Sequence, residues 1–179
     1  QKLSEFIEKW IKEKINFILK SLIDLKNLKE SNSSIKALAY QLYENNGVIK
    51  RSEVDKIVKP IPSDERKRLW GMGIKIGRYH IYLPKMLKPK AVEFRVSLWK
   101  IFHNLSDKNI IPQSGLNFLI SKNFEKNFLL LCGFEKFNEF FVRIDILEKL
   151  FIKIIDNTNG KKFKINTEMM NLLGCSKEN

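Results

Sequence analysis

Ile74-Lys75-Ile76-Gly77-Arg78-Tyr79-His80-Ile81-Tyr82-Leu83-Pro84 runs on through Lys85-Met86-Leu87-Lys88-Pro89-Lys90 to Leu98-Trp99, and the rest of the chain is read around it. Before Pro84, apolar residues alternate with basic or polar ones: Ile74, Ile76, then Tyr79, Ile81 and Leu83. Period-two alternation predicts a half-buried strand. Gly77 interrupts the pattern and predicts a bend, bulge or tight turn. Pro84 and Pro89 bracket a short loop, and Pro89 is placed to open a helix. With Tyr79, Ile81 and Leu83 turned to the core, Arg78, His80 and Tyr82 face outward together. A cation, an imidazole and a phenol on one face suit phosphates and stacked bases. The same pattern also fits a solvated strand face with Tyr82 covering a neighbouring loop. The candidate nucleic-acid-binding residues are therefore Lys75, Arg78, Tyr79, His80, Tyr82, Lys85, Lys88 and Lys90.

Charge supports that choice. The 179 residues carry 33 Lys+Arg against 20 Asp+Glu, a net +13. Between Lys50 and Lys100 there are 14 basic and 5 acidic residues, so +9 of the excess lies in this stretch. A clustered basic excess favours an anionic partner, nucleic acid ahead of a membrane surface. An AT-rich genome would also enrich Lys, Asn, Ile and Phe without any such partner. Apolar content of 44% is enough to build a core.

Working outward, residues 3–25 carry Leu3, Phe6, Ile7, Trp10, Ile11, Ile15, Ile18, Leu19 and Leu22 at three- and four-residue steps, predicting one long amphipathic helix that packs on another element. Ser33 or Ser34 is expected to cap a second helix with Ile35, Leu38, Ala39, Leu42 and Tyr43 on its face. Asn45-Asn46-Gly47 ends it. Ser52-Glu53-Val54-Asp55 reads as a capping box for a short third helix stopped by Pro60 and Pro62. Ser63 opens a fourth, which ends at Trp70-Gly71. The second and third helices form a generic helix-turn-helix candidate. Residues 90–103 predict a helix with Ala91, Phe94, Leu98, Ile101 and Phe102 on its face. A loop over 104–114, a strand or turn at 116–120 and a helix at 123–132 closed by Gly133 follow. Residues 139–144 predict a strand, Asp145 caps a helix to Asp156, residues 163–165 predict a short strand, and Thr167 starts a final helix. The expected fold is α+β and predominantly helical: a helical bundle with a small β element and a winged-helix-like half near the C-terminus. A boundary is expected near residue 30, with a leading helix over 1–30, an accessory domain over 31–179, and a sub-boundary near 105–115.

Catalytic signals are sparse. There is no G-x-x-x-x-G-K-[ST] loop, and Gly71, Gly73 and Gly77 lack the G-x-G-x-x-G spacing. His80 reads as a structural histidine. Cys132 and Cys175 stand 43 positions apart as free thiols without zinc-ligand pairing. No apolar run reaches the ~18 residues of a membrane span, and no signal peptide is evident.

Asn46-Gly47-Val48-Ile49-Lys50-Arg51, Trp70 through Pro84, Leu87-Lys88-Pro89 and Leu98-Trp99 resemble the C-terminal region of alphaproteobacterial superfamily-2 (DExH-type) ATP-dependent helicases related to the mitochondrial RNA-degradosome helicase. Residues 142–150 and 169–176 resemble two later blocks of that region. The resemblance implies that the intact protein is a helicase whose motor domains, with ATP and Mg²⁺, lie upstream of Gln1. This fragment would then be a non-enzymatic accessory domain without its own cofactor. Its expected partners are nucleic acid, RNA ahead of DNA, and the motor domains of the same chain, in the cytoplasm and away from membranes. The alternative is a docking domain that contacts the motor or a partner protein without binding nucleic acid.

Overall fold

The computed structural model describes residues 2–29, 32–104, 118–120, 126–138, 140–158 and 164–176. The fold is α+β and predominantly helical, with short antiparallel strands. The expected 104–114 loop and 105–115 sub-boundary fall, but for Asn104, outside the described residues.

The leading helix is two pieces, α1 (Lys2–Ile18) and α2 (Lys20–Lys26), with Leu19 between them. Neither Pro nor Gly breaks the predicted single helix. Leu22 and Leu25 of α2 are buried in the core, whereas α1 buries no residue. Packing of α2 on α3 (Ser33–Glu44) therefore takes over where local periodicity would have continued. The same core spans both sides of residue 30, so the second half of the leading segment belongs to the body.

Asn32, not Ser33 or Ser34, caps α3: its Oδ1 accepts from the backbone N–H groups of Ser34 (3.0 Å) and Ile35 (3.3 Å). Gly47 then reverses the chain at φ +83°, where a Cβ would also sit 2.9 Å from Met86 Cγ. It leads into β1 (Val48–Lys50) and directly into α4 (Arg51–Val58). The expected capping box at Ser52 is not used, because the helix begins a residue earlier and the Arg51 N–H donates to the Tyr79 carbonyl at 2.8 Å. Next come α5 (Ser63–Gly71), β2 (Lys75–Ile76) and β3 (His80–Tyr82), with sheet order β1-β3-β2. From α3 to β3 the element order is therefore helix, strand, helix, helix, strand, strand. The expected helix pair around Gly47 corresponds to α3 and α4, which pack against each other.

A 3-10 helix (Pro84–Leu87) follows. Helix α6 (Pro89–Phe102), β4 (Phe118–Ile120), α7 (Lys126–Leu131), β5 (Phe134–Phe137) and β6 (Phe140–Arg143) form a second sheet in order β4-β6-β5. Strand β5 was not anticipated, since Phe134-Glu135-Lys136-Phe137 has apolar residues at its ends rather than in alternation. Helices α8 (Ile144–Thr158) and α9 (Thr167–Leu173) complete the chain. Asp145 lies inside α8 and pairs with Arg143 rather than capping the helix. Residues 164–166 are irregular, not strand.

Helix α6 joins the two units. Ala91 faces the first core, while Val92 and Val96 pack with Phe128, Leu129, Phe134 and Phe141 of the second. Of the expected face, Ala91 is buried and Phe94 and Leu98 are half-buried, but Ile101 and Phe102 are exposed, and Arg95 is buried instead. Arg95 Nη1 donates to the Asn46 carbonyl (2.8 Å), Nη2 to that of Met86 and Nε to that of Ala91 (3.3 Å). Burial pushes the guanidinium pKa down to about 10, which leaves it charged at neutral pH. Replacing Arg95 with Met strips these donors from three backbone carbonyls. A loss of about 2–3 kcal/mol is expected, read as a lower urea midpoint at unchanged slope.

Candidate nucleic-acid interface

The first sheet is covered on both faces, which decides the site. Ile49 and Ile81 pack into the first core. On the opposite face, Val48 and Tyr82 cluster with Leu87 and Ile144 at the start of α8. Consequently His80 is 2% and Tyr82 3% exposed, and the predicted outward trio of Arg78, His80 and Tyr82 does not exist. Alternation along β3 reports two different faces but not that a second layer covers one of them. Burial, reinforced by Asp145 and Glu148, pushes the Tyr82 phenol up to about 12.

What covers His80 is polar. Glu148 of α8 reaches the turn between β2 and β3, where its Oε2 accepts from the Arg78 N–H (2.6 Å). Its Oε1 accepts from the N–H groups of Tyr79 (2.9 Å) and His80 (2.7 Å). Three successive N–H groups form an anion nest, filled here by the protein's own carboxylate. Gly77 makes the approach feasible: a Cβ there would lie 2.4 Å from Glu148 Cδ. His80 Nε2 lies 3.1 Å from Glu135 Oε2, and Lys50 Nζ donates to Glu135 Oε1 at 2.6 Å. Lys50 and His80 are register partners in β1 and β3, so both project toward β5. His80 Nδ1 is 3.6 Å from Glu148 Oε1 and is buried without a hydrogen bond. The cluster stitches the first sheet to β5 and α8.

Burial alone would discharge His80, but the hydrogen bonds and charges of Glu135 and Glu148 outweigh it and hold its pKa above the ordinary 6.5. Burial likewise opposes ionisation of both glutamates. His80, joined by Lys50 at Glu135 and by the three N–H groups at Glu148, brings them below the ordinary 4.5. The raised imidazole contributes stability below pH 6.5 that is lost as pH rises through its folded value. The lowered carboxylates contribute stability above pH 4.5 that is lost as pH falls through theirs. The urea midpoint should therefore peak between these limits and decline toward pH 8. The alkaline decline should flatten in His80→Gln.

Three adjoining clefts open beside this cluster. One of about 530 Å³ is lined by Lys50, Arg51, Arg78, Tyr79 and Phe137 among others. A second, about 450 Å³, takes in Arg51, Arg66, Lys75, Arg78 and Lys149. The third, about 390 Å³, lies between α5 and β2 and is lined by Arg51, Arg66, Lys67, Trp70 and Lys75. Arg51 borders all three, Arg78 the first two, and Arg66 and Lys75 the last two. The carboxylates along them are engaged: Asp55 with Lys59 and Arg51, Asp145 with Arg143, and Glu135 and Glu148 as described. Arg51 donates to the Gly77 carbonyl (2.9 Å) and Arg66 to that of Ile61 (2.9 Å), so both heads are held in place. Lys75 and Arg78 are exposed.

Of the candidate residues, the fold brings Lys75, Arg78 and Tyr79 to this surface. His80 and Tyr82 are buried at its base, and Lys85, Lys88 and Lys90 are exposed but line none of the three clefts. Arg51, Arg66, Trp70, Phe137 and Lys149 were missed. One signal was available for Trp70: α5 is polar apart from Leu69 and Trp70, and only Leu69 can face the core.

Among the described residues, no group of three or more His, Cys, Asp or Glu is arranged to hold a metal ion. Nor is any helix long and apolar enough to cross a membrane. Cys132 and Cys175 are free, and burial pushes the Cys132 thiol up to about 12. Comparisons with family models, curated proteins and solved structures gave no match.

Proposed function

We propose that the chain is a nucleic-acid-binding accessory domain, the C-terminal region of a cytoplasmic ATP-dependent helicase whose motor domains lie outside these 179 residues. RNA is the preferred ligand over DNA. The observation that carries the binding reading is the run of three clefts joined by Arg51 and bordered by Arg66, Lys75 and Arg78, with their carboxylates already paired. A polyanion laid there meets cations whose counterions it can displace. The helicase assignment rests on the sequence resemblance alone. The test is direct titration with a labelled RNA strand at low salt. Replacing Lys85 and Lys88 with Gln should leave affinity nearly unchanged at physiological salt, where distant charges are screened. A large loss would move the interface away from the clefts.

A second reading, docking without nucleic acid, is favoured by α1. Leu3, Phe6, Ile7, Trp10 and Ile11 are all exposed, an apolar stripe that a partner protein or motor domain would cover.

A further inference from the structure

Resting on the nucleic-acid reading above, we propose that these clefts take a single strand and bind its bases by stacking, on Trp70 at one end and beside Tyr79 and Phe137 at the other.

Two features of the fold count against a duplex. In a helix-turn-helix unit the second helix enters the major groove and reads base edges with its N-terminal residues. Here α5, the second of the consecutive helices α4 and α5, begins Ser63-Asp64-Glu65, with Asp64 exposed, which repels a phosphate backbone. The β2–β3 turn, the part of such a unit free to reach a groove, is instead pinned by Glu148 through the N–H groups of Arg78, Tyr79 and His80.

What the surface offers in their place is aromatic faces beside cations. Trp70 is 68% exposed, although Leu69 next to it is fully buried. Its indole borders the cleft that Arg66 and Lys75 share with the next one. Tyr79 is 52% and Phe137 47% exposed, and both line the far cleft with Arg51 and Arg78. The Tyr79 ring is steadied by an edge-on contact with Phe151, centroids 4.6 Å apart. Bases stacked inside a duplex offer no face to such rings, whereas an unpaired strand offers one at every nucleotide. Alternating cations and aromatics along a groove are the means by which single strands are held without sequence preference.

The experiment compares three fluorescein-labelled probes of about ten nucleotides by anisotropy with the full chain. They are oligo-uridylate, an abasic strand with the same phosphates, and an RNA duplex. The expected order is oligo-uridylate first, by roughly tenfold or more over the abasic strand. The Trp70→Leu/Phe137→Leu variant should remove most of the preference for oligo-uridylate over the abasic strand and leave abasic binding unchanged, while Trp70→Phe retains the preference. These side chains are exposed, so the variants should fold, as circular dichroism would verify. Equal binding of oligo-uridylate and abasic strand, or tighter binding of the duplex, overturns stacking and leaves the basic groove standing. Failure of all three probes to bind at low salt overturns both.

Discussion

Replacing Glu148 with alanine is expected to lower stability by about 3–5 kcal/mol, the usual cost of stripping one partner from a buried ionic cluster. Glu148 is buried on α8 and serves four groups at once. Three backbone N–H groups of the β2–β3 turn lose their acceptor, and His80 loses one of its two neighbouring carboxylates. Gly77→Ala should be destabilising by about 1–3 kcal/mol for the complementary reason, since its new Cβ would collide with the Glu148 carboxyl. The two changes should not add. Once the carboxyl is gone, the alanine methyl has space, so Gly77→Ala in the Glu148→Ala background should cost much less than in the parent chain. Urea unfolding of the four proteins measures this. A Glu148→Ala change within about 0.5 kcal/mol of the parent would mean that the turn is not held from α8.

Lys75→Gln combined with Arg78→Gln should weaken RNA binding at low salt by one to two orders of magnitude. Removing two phosphate contacts on a single strand should also reduce the slope of log affinity against log salt by about 1.4. Both side chains are exposed, and neither stands in the Lys50–Glu135–His80–Glu148 cluster, so folding should be preserved. The Arg78 contribution to the cluster is its backbone N–H, which glutamine retains. Anisotropy titrations at several salt concentrations separate the two effects. Weaker affinity with an unchanged slope would show that these residues act on something other than phosphate.

The helices were legible because their cues are local. Asn45-Asn46-Gly47 ended α3, Pro89 opened α6, and Gly133 closed α7, each a backbone requirement written in one or two residues. The split at Leu19 was not legible, because it reflects where Leu22 and Leu25 pack and not any breaker in the sequence. The orientation of β3 was misread for the same kind of reason. Two-fold alternation identifies faces, but His80 and Tyr82 became interior residues only when α8 and β5, more than 50 positions downstream, closed over them. Clustered charge drew attention to Lys75 and Arg78, which are exposed. It could not separate them from Lys85, Lys88 and Lys90, which share the composition but not the clefts. Glu148 left no mark at all: a glutamate in an amphipathic helix reads as solvated until its partners, some 70 residues earlier, are known.

The central claim is that a polyanion lies along the clefts bordered by Arg51, Arg66, Lys75 and Arg78. Its most direct test is a titration of the parent chain against a labelled single-stranded RNA between about 50 and 200 mM salt. Binding at the lower end that weakens steeply and linearly in log–log form toward the upper end is the predicted result. No binding at about 50 mM salt, or an affinity indifferent to salt, would contradict it.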